Sequence, residues 1–272
     1  MLDVKHLFKS YPVEGGLLRR RVAAVQALRD VSFTLNRSET LAIVGGSGCG
    51  KSTLARIITG LLAPDAGEVL WEGTALSSLS RIDRAHRVQM VFQDPYASLN
   101  PKLSMGTQLR EVLKAAKPSL TPTLSLEGRG KAGPKGQARV RDAVELLESV
   151  GLSADVLQHY PFQFSGGQRQ RIAIARALAM GPELLIADEP LSALDVTTQA
   201  QILALFGRLK ASFGLTLLFI THDLAIAEEI ADRVVVLQEG QVVEEGPASV
   251  VLSTPAHPYT RALLEAVPKV SC

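Results

Sequence analysis

The nine residues GGSGCGKST, positions 45 to 53, constrain this chain more than any other stretch. They satisfy G-x-x-x-x-G-K-[ST] through Gly45, Gly50, Lys51 and Ser52. TLAIV at 40 to 44, before them, has a short buried-strand pattern; the run after them sets Leu54, Ile57, Ile58 and Leu61 on one helical face. Strand, glycine turn and helix follow in the order a loop needs to curl round an anion. Glycines let successive N–H groups face one negative centre, and the helix start adds the positive end of its dipole. The expected phosphate-binding segment is Gly45, Gly46, Ser47, Gly48, Cys49, Gly50, Lys51, Ser52 and Thr53. Lys51 would reach β- and γ-phosphates and Ser52 would offer its hydroxyl to Mg²⁺. The plainer alternative is a glycine-rich turn with a chance lysine. Cys49 is read as a loop position, with no reason to be a catalytic thiol.

Further strands are expected at GEVLW (67–71), RVQMVF (87–92), ELLIAD (183–188), LTLLFIT (215–221) and RVVVLQ (233–238), with helical patterns between several of them. Apolar strands flanked by helices predict an α/β fold with a mostly parallel sheet covered on both faces. DVSFTLN at 30 to 36 alternates Val31, Phe33 and Leu35 and predicts an antiparallel addition. Between Lys117 and Gln137 the text turns to KPSLTPTLSLEGRGKAGPKGQ, with three prolines and four glycines. That composition predicts a loop inserted between helices at 104–115 and 138–150.

Composition removes several classes of function. Among 272 residues, 29 Lys and Arg against 27 Asp and Glu leave a net charge of +2, too small for a nucleic-acid footprint. Arg19-Arg20-Arg21 is the local exception, read as a solvated loop, with lipid headgroups or a partner as the other possibility. No apolar run approaches the roughly 20 residues that span a bilayer, and MLDVKHLFKSY lacks the apolar centre of a secretion signal. The chain therefore reads as one kept in the cytosol. Two distant cysteines, Cys49 and Cys272, are too few for a disulfide framework or a four-cysteine metal site.

LLIADE at 184 to 189 ends an apolar strand in adjacent carboxylates, which would be costly there without a cation or a proton-transfer role. Asp188 is assigned to the coordination sphere of Mg²⁺ and Glu189 to polarising the water that attacks the γ-phosphate; an exposed acidic turn is the alternative. His222 in THD follows the strand LTLLFI, at an end where ligands of open α/β sheets collect. Taken alone it reads as a capping or core residue. Gln93 in VFQDPYASLNP closes another strand, and its amide could ligate Mg²⁺ or orient water. Tyr11 could stack on an adenine ring or simply pack. In QFSGGQRQRIAIARAL, 163 to 178, Gly166 and Gly167 precede a helical face of Ile172, Ile174, Ala175 and Leu178, so a bare helix start stands ready for an anion.

In order and spacing these elements, together with SALD at 192 to 195, resemble the ATP-binding subunit of an ABC transporter. SGGQ separates that family from other phosphate-loop enzymes. The resemblance implies a P-loop NTPase core with a mostly parallel sheet, an antiparallel β subdomain and an inserted α-helical subdomain at about 95–180. Residues 1–250 would form the nucleotide-binding domain and 251–272 a short C-terminal extension. It implies ATP and Mg²⁺ as cofactors and a head-to-tail dimer with two ATP molecules sandwiched between opposing Lys51 and Ser165 surfaces. Ser165, Gly166, Gly167 and Gln168 then act across the interface, Asp195 helps connect the two sites, His222 meets the γ-phosphate, and the surface beside Gln93 passes movement to membrane subunits.

FQDPYASLNP at 92 to 101 and HPYTRALLEAVP at 257 to 268 look like the oligopeptide, dipeptide and nickel importer subfamily. Its ATPases come as paralogues, and the chain resembles the one without a C-terminal iron–sulfur cysteine cluster. The implied partners are a second ATP-binding subunit, paralogous or identical, two transmembrane permeases and an extracytoplasmic solute-binding protein, at the cytoplasmic face of the membrane, with no nucleic acid. Members often carry Glu where this chain has Gly46, and His-Glu where it has Phe162-Gln163. The rival readings are a soluble ABC-type ATPase acting on nucleic acid or ribosomes, whose usual coiled-coil insertion, zinc cysteines or second cassette are absent from this sequence, and an unrelated phosphate-loop kinase, which has no use for SGGQ and SALD.

Overall fold

The computed structural model describes residues 1–15, 20–116 and 142–266. Ten strands lie in them: β1 (Leu2–Gly15), β2 (Arg20–Leu35), β3 (Thr40–Val44), β4 (Ala66–Trp71), β5 (Thr74–Ala75), β6 (Val88–Val91), β7 (Leu184–Asp188), β8 (Thr216–Thr221), β9 (Arg233–Gln238) and β10 (Gln241–Pro247). The expected insertion loop at 117–137, Arg19 and Cys272 fall outside the described residues. The chain divides into two compact units, Met1–Arg84 with Leu218–Cys272, and Ala85–Leu217; it passes from the second to the first within β8.

In the first unit, an antiparallel sheet runs β2-β1-β4-β5. Val4 lies opposite Phe33 on one side and Val69 on the other; Leu2 likewise faces Leu35 and Trp71. All six are buried, which makes one face of the sheet dry. Two expectations change here. GEVLW, grouped from sequence with the strands of the parallel sheet, is β4 of the antiparallel one: it pairs with β1 and β5, and only its alternate residues Val69 and Trp71 are buried there. Arg20 and Arg21 are not in a loop: they pair with Gly15 and Glu14, since β1 is long enough to give β2 a partner along its whole length.

The same unit orders β10-β9-β3-β8. β3 and β9 are parallel, Leu41 opposite Arg233 through Val44 opposite Val236. Every residue of β3 and β8 is buried, the unbroken apolar pattern of strands covered on both faces. Ala42, Val44, Val234 and Val236 form one core cluster with Leu224, Ala227, Ala248, Val251 and Leu252.

After β3 the chain enters the helix Lys51–Ile58. Eight residues make a marginal helix in water, so its stability comes from burying Leu54 and Ile58 completely, at about 1.5–3 kcal/mol each. Leu61, expected on its buried face, is 64% exposed. Gly60, at φ 72, turns the chain out of the helix, and the Gly60 and Leu61 amides donate to Ile57 O and Arg56 O.

In the second unit β6 and β7 are parallel, Val88 opposite Leu184 through Val91 opposite Ala187. The helix expected at 104–115 is Met105–Ala116, and that expected at 138–150 is Ala143–Ser149 within the described residues. Asp142 caps the latter by accepting from the Val144 and Glu145 amides. The helices Gly166–Leu178 and Val196–Phe213 complete the unit's main framework.

Candidate functional site

The phosphate loop of the first unit is shaped by close backbone approach. A Cβ on Gly45, at φ 154, would lie 2.2 Å from Leu237 O; one on Gly50, at φ 110, would lie 2.4 Å from Ala27 O. Only glycine fits either position. Cys49 is buried in the same turn: its amide donates to Gly46 O at 3.4 Å, and its carbonyl accepts from the Gly240 amide at 3.0 Å. Lys51, 5% exposed, bends back so that Nζ donates to Gly45 O at 2.7 Å and Gly46 O at 3.0 Å. The helix behind it has no side-chain cap. A lysine ammonium, a glycine-rich turn and an uncapped helix start converge here, an arrangement suited to a polyphosphate.

Ser47 and Gly48 are exposed, Ser52 and Thr53 half-buried. Tyr11 Oη stands 3.5 Å from Thr53 Oγ1, and Lys9 Nζ lies 6.0 Å from the centre of the Tyr11 ring, so the structure brings Tyr11 beside the first turn of this helix. His222 is exposed directly after β8, the neighbour of β3 in the sheet. Asp223, and not His222, is the helix cap there, accepting from the Ala225 and Ile226 amides.

In the second unit the parallel register sets Gln93 two residues beyond Val91 and Glu189 two beyond Ala187, opposite positions on neighbouring strand ends. Gln93 Nε2 accordingly donates to Glu189 Oε2 at 3.4 Å and to Ser192 Oγ at 3.5 Å. Asp188 is 5% exposed at the end of β7. Glu189 takes φ 45 immediately before Pro190, a conformation that a non-glycine residue holds only under constraint from its surroundings. Ser192 Oγ donates to Glu189 O at 3.2 Å and helps supply that constraint.

Ser165 caps the helix Gly166–Leu178 through a reciprocal pair. The Gln168 amide donates to Ser165 Oγ at 3.3 Å, and the Ser165 amide donates to Gln168 Oε1 at 3.0 Å. A Cβ on Gly167 would meet Thr198 Cγ2 at 2.5 Å, and one on Gly166 would meet Leu194 Cδ2 at 3.2 Å. Asp195 caps the helix Val196–Phe213: Oδ1 accepts from the Thr198 amide at 2.9 Å and Oδ2 from the Thr198 hydroxyl at 2.7 Å. Those two bonds, the amide first, hold the Asp195 carboxyl below its ordinary value. Gly167 of the SGGQ segment and Asp195 thus share Thr198, which sequence reasoning missed; its place three residues after Asp195, in the first turn of the helix, gave no separate signal.

Gln163 Oε1 accepts from the Tyr160 amide at 2.8 Å, closing the turn before Ser165. Beside it Tyr160 and Phe162 stack at 6.0 Å, and Arg169 lies 4.2 Å over the Tyr96 ring. Tyr259 is the other residue that the sequence left without a role; its hydroxyl accepts from the Gly46 amide at 2.9 Å.

Residues 28–192 match the family described as ABC transporter, and 243–271 match the oligopeptide/dipeptide transporter C-terminal region. The chain belongs to the ABC transporter family and is one of its ATPase cassettes. It is 46% identical to a probable peptide ABC transporter ATP-binding protein of Sinorhizobium fredii, over 98% of this chain and 72% of that protein. A dipeptide transport ATP-binding protein of Haemophilus influenzae is 43% identical over 100% of this chain and 79% of its own length. An oligopeptide transport ATP-binding protein of Bacillus subtilis is 44% identical, covering 98% and 78% respectively. Among solved structures, a dimeric ATP-binding cassette in a post-hydrolysis state, bound to ADP and phosphate, is similar with a TM-score of 0.71 and 31% identity over 91% of this chain and 99% of that one.

Proposed function

We propose that this chain binds MgATP on the Gly45–Thr53 loop and hydrolyses it to power import of short peptides through a membrane transporter. The observation that carries the reading is Lys51, buried and held on Gly45 O and Gly46 O in front of a helix with no side-chain cap. That cradle is shaped for phosphate oxygens, and its ammonium opposes their charge. The Ser52 hydroxyl, the Gln93 amide oxygen and the Asp188 carboxylate are hard oxygen donors of the kind Mg²⁺ takes. Bound Mg²⁺ would neutralise charge on the β- and γ-phosphates.

Glu189 is assigned to holding and polarising the attacking water, with Gln93 and His222 orienting it and the γ-phosphate, and Tyr11 to the adenine. The Gln93 to Glu189 hydrogen bond supports a shared task for those two residues. Ser165, Gly166, Gly167 and Gln168 are assigned to the ATP of a second ATP-binding subunit, a paralogue or another copy, with Asp195 linking the two sites. Two permeases and an extracytoplasmic peptide-binding protein acting through them complete the assembly, which places the chain on the cytoplasmic face of the membrane. No helix among the described residues is long and apolar enough to cross a membrane. The names of the relatives support peptides over nickel as cargo, and the domain reading remains 1–250 with a C-terminal extension from 251 to 272.

Replacing Glu189 with Gln should leave ATP binding intact and lower phosphate release by about 10²-fold or more, so that a dimer persists in MgATP on size-exclusion chromatography. An unchanged hydrolysis rate would remove Glu189 from the reaction.

A further inference from the structure

We infer that Tyr259, in the C-terminal helix Pro258–Glu265, is a positioning residue for the phosphate loop and acts through one peptide group. The inference rests on the proposed binding of ATP to that loop. A trans peptide points its carbonyl and its N–H in opposite directions. The peptide joining Gly45 to Gly46 is gripped on both sides: its carbonyl, Gly45 O, accepts from Lys51 Nζ at 2.7 Å, while its N–H donates to Tyr259 Oη at 2.9 Å. Rotation of that peptide plane would break both bonds at once. The phenol therefore sets which way the Gly45 carbonyl faces, and through it where the Lys51 ammonium rests.

Tyr259 is well placed to hold something else still. Its own amide donates to His257 Nδ1 at 3.2 Å, the cap of the helix. Glu244, in β10, accepts from the Ala256 amide at 2.7 Å and the His257 amide at 3.1 Å, which anchors the segment leading into the helix. Burial alone would raise the Glu244 carboxyl, but its hydrogen bonds, those of Ala256 and His257 among them, outweigh burial and hold it below its ordinary value. Tyr259, Leu263 and Leu264 pack against the cluster that contains Ala42 and Val44, the strand leading into the loop. The absence of a side chain at position 46 belongs to the same contact, since a Cβ there would lie 3.1 Å from Tyr259 Oη. A segment 213 residues away in sequence thus reaches the second residue of the phosphate loop.

The test uses the full-length chain and Tyr259→Phe, which keeps the ring and removes the hydroxyl. The dissociation constant for ATP with Mg²⁺ should rise about 3–10-fold, the worth of one net hydrogen bond. Hydrogen exchange of amides 45–51, measured without nucleotide, should accelerate. Gly46→Ala should also weaken ATP binding in the parent chain, and do so much less in the Tyr259→Phe background, where no hydroxyl remains to displace. Unchanged affinity and unchanged exchange in Tyr259→Phe, even with a lowered melting temperature, would reduce Tyr259 to a packing residue and overturn the inference. If the parent chain fails to bind ATP, the functional proposal falls, and the exchange measurement still decides Tyr259.

Discussion

Two glycine-rich helix starts look alike in sequence and differ in how they are finished. The phosphate loop reaches the helix Lys51–Ile58 with Gly50 at the cap, no side-chain hydrogen bond there, and a buried lysine turned back over it. The signature reaches the helix Gly166–Leu178 with Ser165 and Gln168 already satisfying each other's amides. Glycine serves the first start against backbone, at Leu237 O and Ala27 O, and the second against a side chain, at Thr198. Backbone walls are rigid and leave a fixed cradle; a side-chain wall can be altered by one substitution.

The strongest test of that difference is Gly50→Ala. Its Cβ would strike Ala27 O at 2.4 Å in a left-handed backbone, so the variant should lose about 3 kcal/mol or more in denaturant unfolding, with no neighbouring side-chain change able to restore it. Gly167→Ala should cost less, about 1–3 kcal/mol, because it meets only Thr198 Cγ2 at 2.5 Å. Adding Thr198→Ser, which removes that methyl and keeps the hydroxyl on Asp195, should recover most of the loss in a double-mutant cycle. If the pair is simply additive, the two walls do not differ as described.

Smaller again is Ser165→Ala, expected to cost about 1 kcal/mol in thermal or denaturant unfolding, since it removes one member of the capping pair. The weakest effect is one of pH. Because the folded state lowers the Asp195 carboxyl below 3.8, its cap contributes fully above that value and is lost as pH falls through the lower folded value. The stability difference between the parent and Asp195→Ala should therefore be flat near neutrality and shrink only below about pH 4. A difference that vanished already near pH 6 would assign the cap to another group.

Much of this was legible in advance for a physical reason. β3, β7, β8 and β9 are short apolar runs bounded by turn residues, and their bounds follow the text closely because burial on both faces demands continuous hydrophobicity. β1 was harder to see: LDVKHLFKSYPVEG has bulges between Val4 and Lys9, which interrupt its alternation. β4 carries the same apolar letters as a parallel strand, and only its neighbours place it in the antiparallel sheet. Gln93 and Glu189, 96 residues apart, were each visible as strand ends, but their meeting depends on the register of β6 against β7.

The sequence by itself determined the chemistry available: a lysine in a glycine turn, adjacent carboxylates after a strand, and a diglycine before a helix. Local periodicity and turn chemistry suffice for that, because they act over a few residues. Tertiary structure alone decided which wall each glycine needed, that Thr198 joins Gly167 to Asp195, and that Tyr259 reaches Gly46. These are contacts between segments far apart in the chain, and their geometry exists only once the strands and helices have packed.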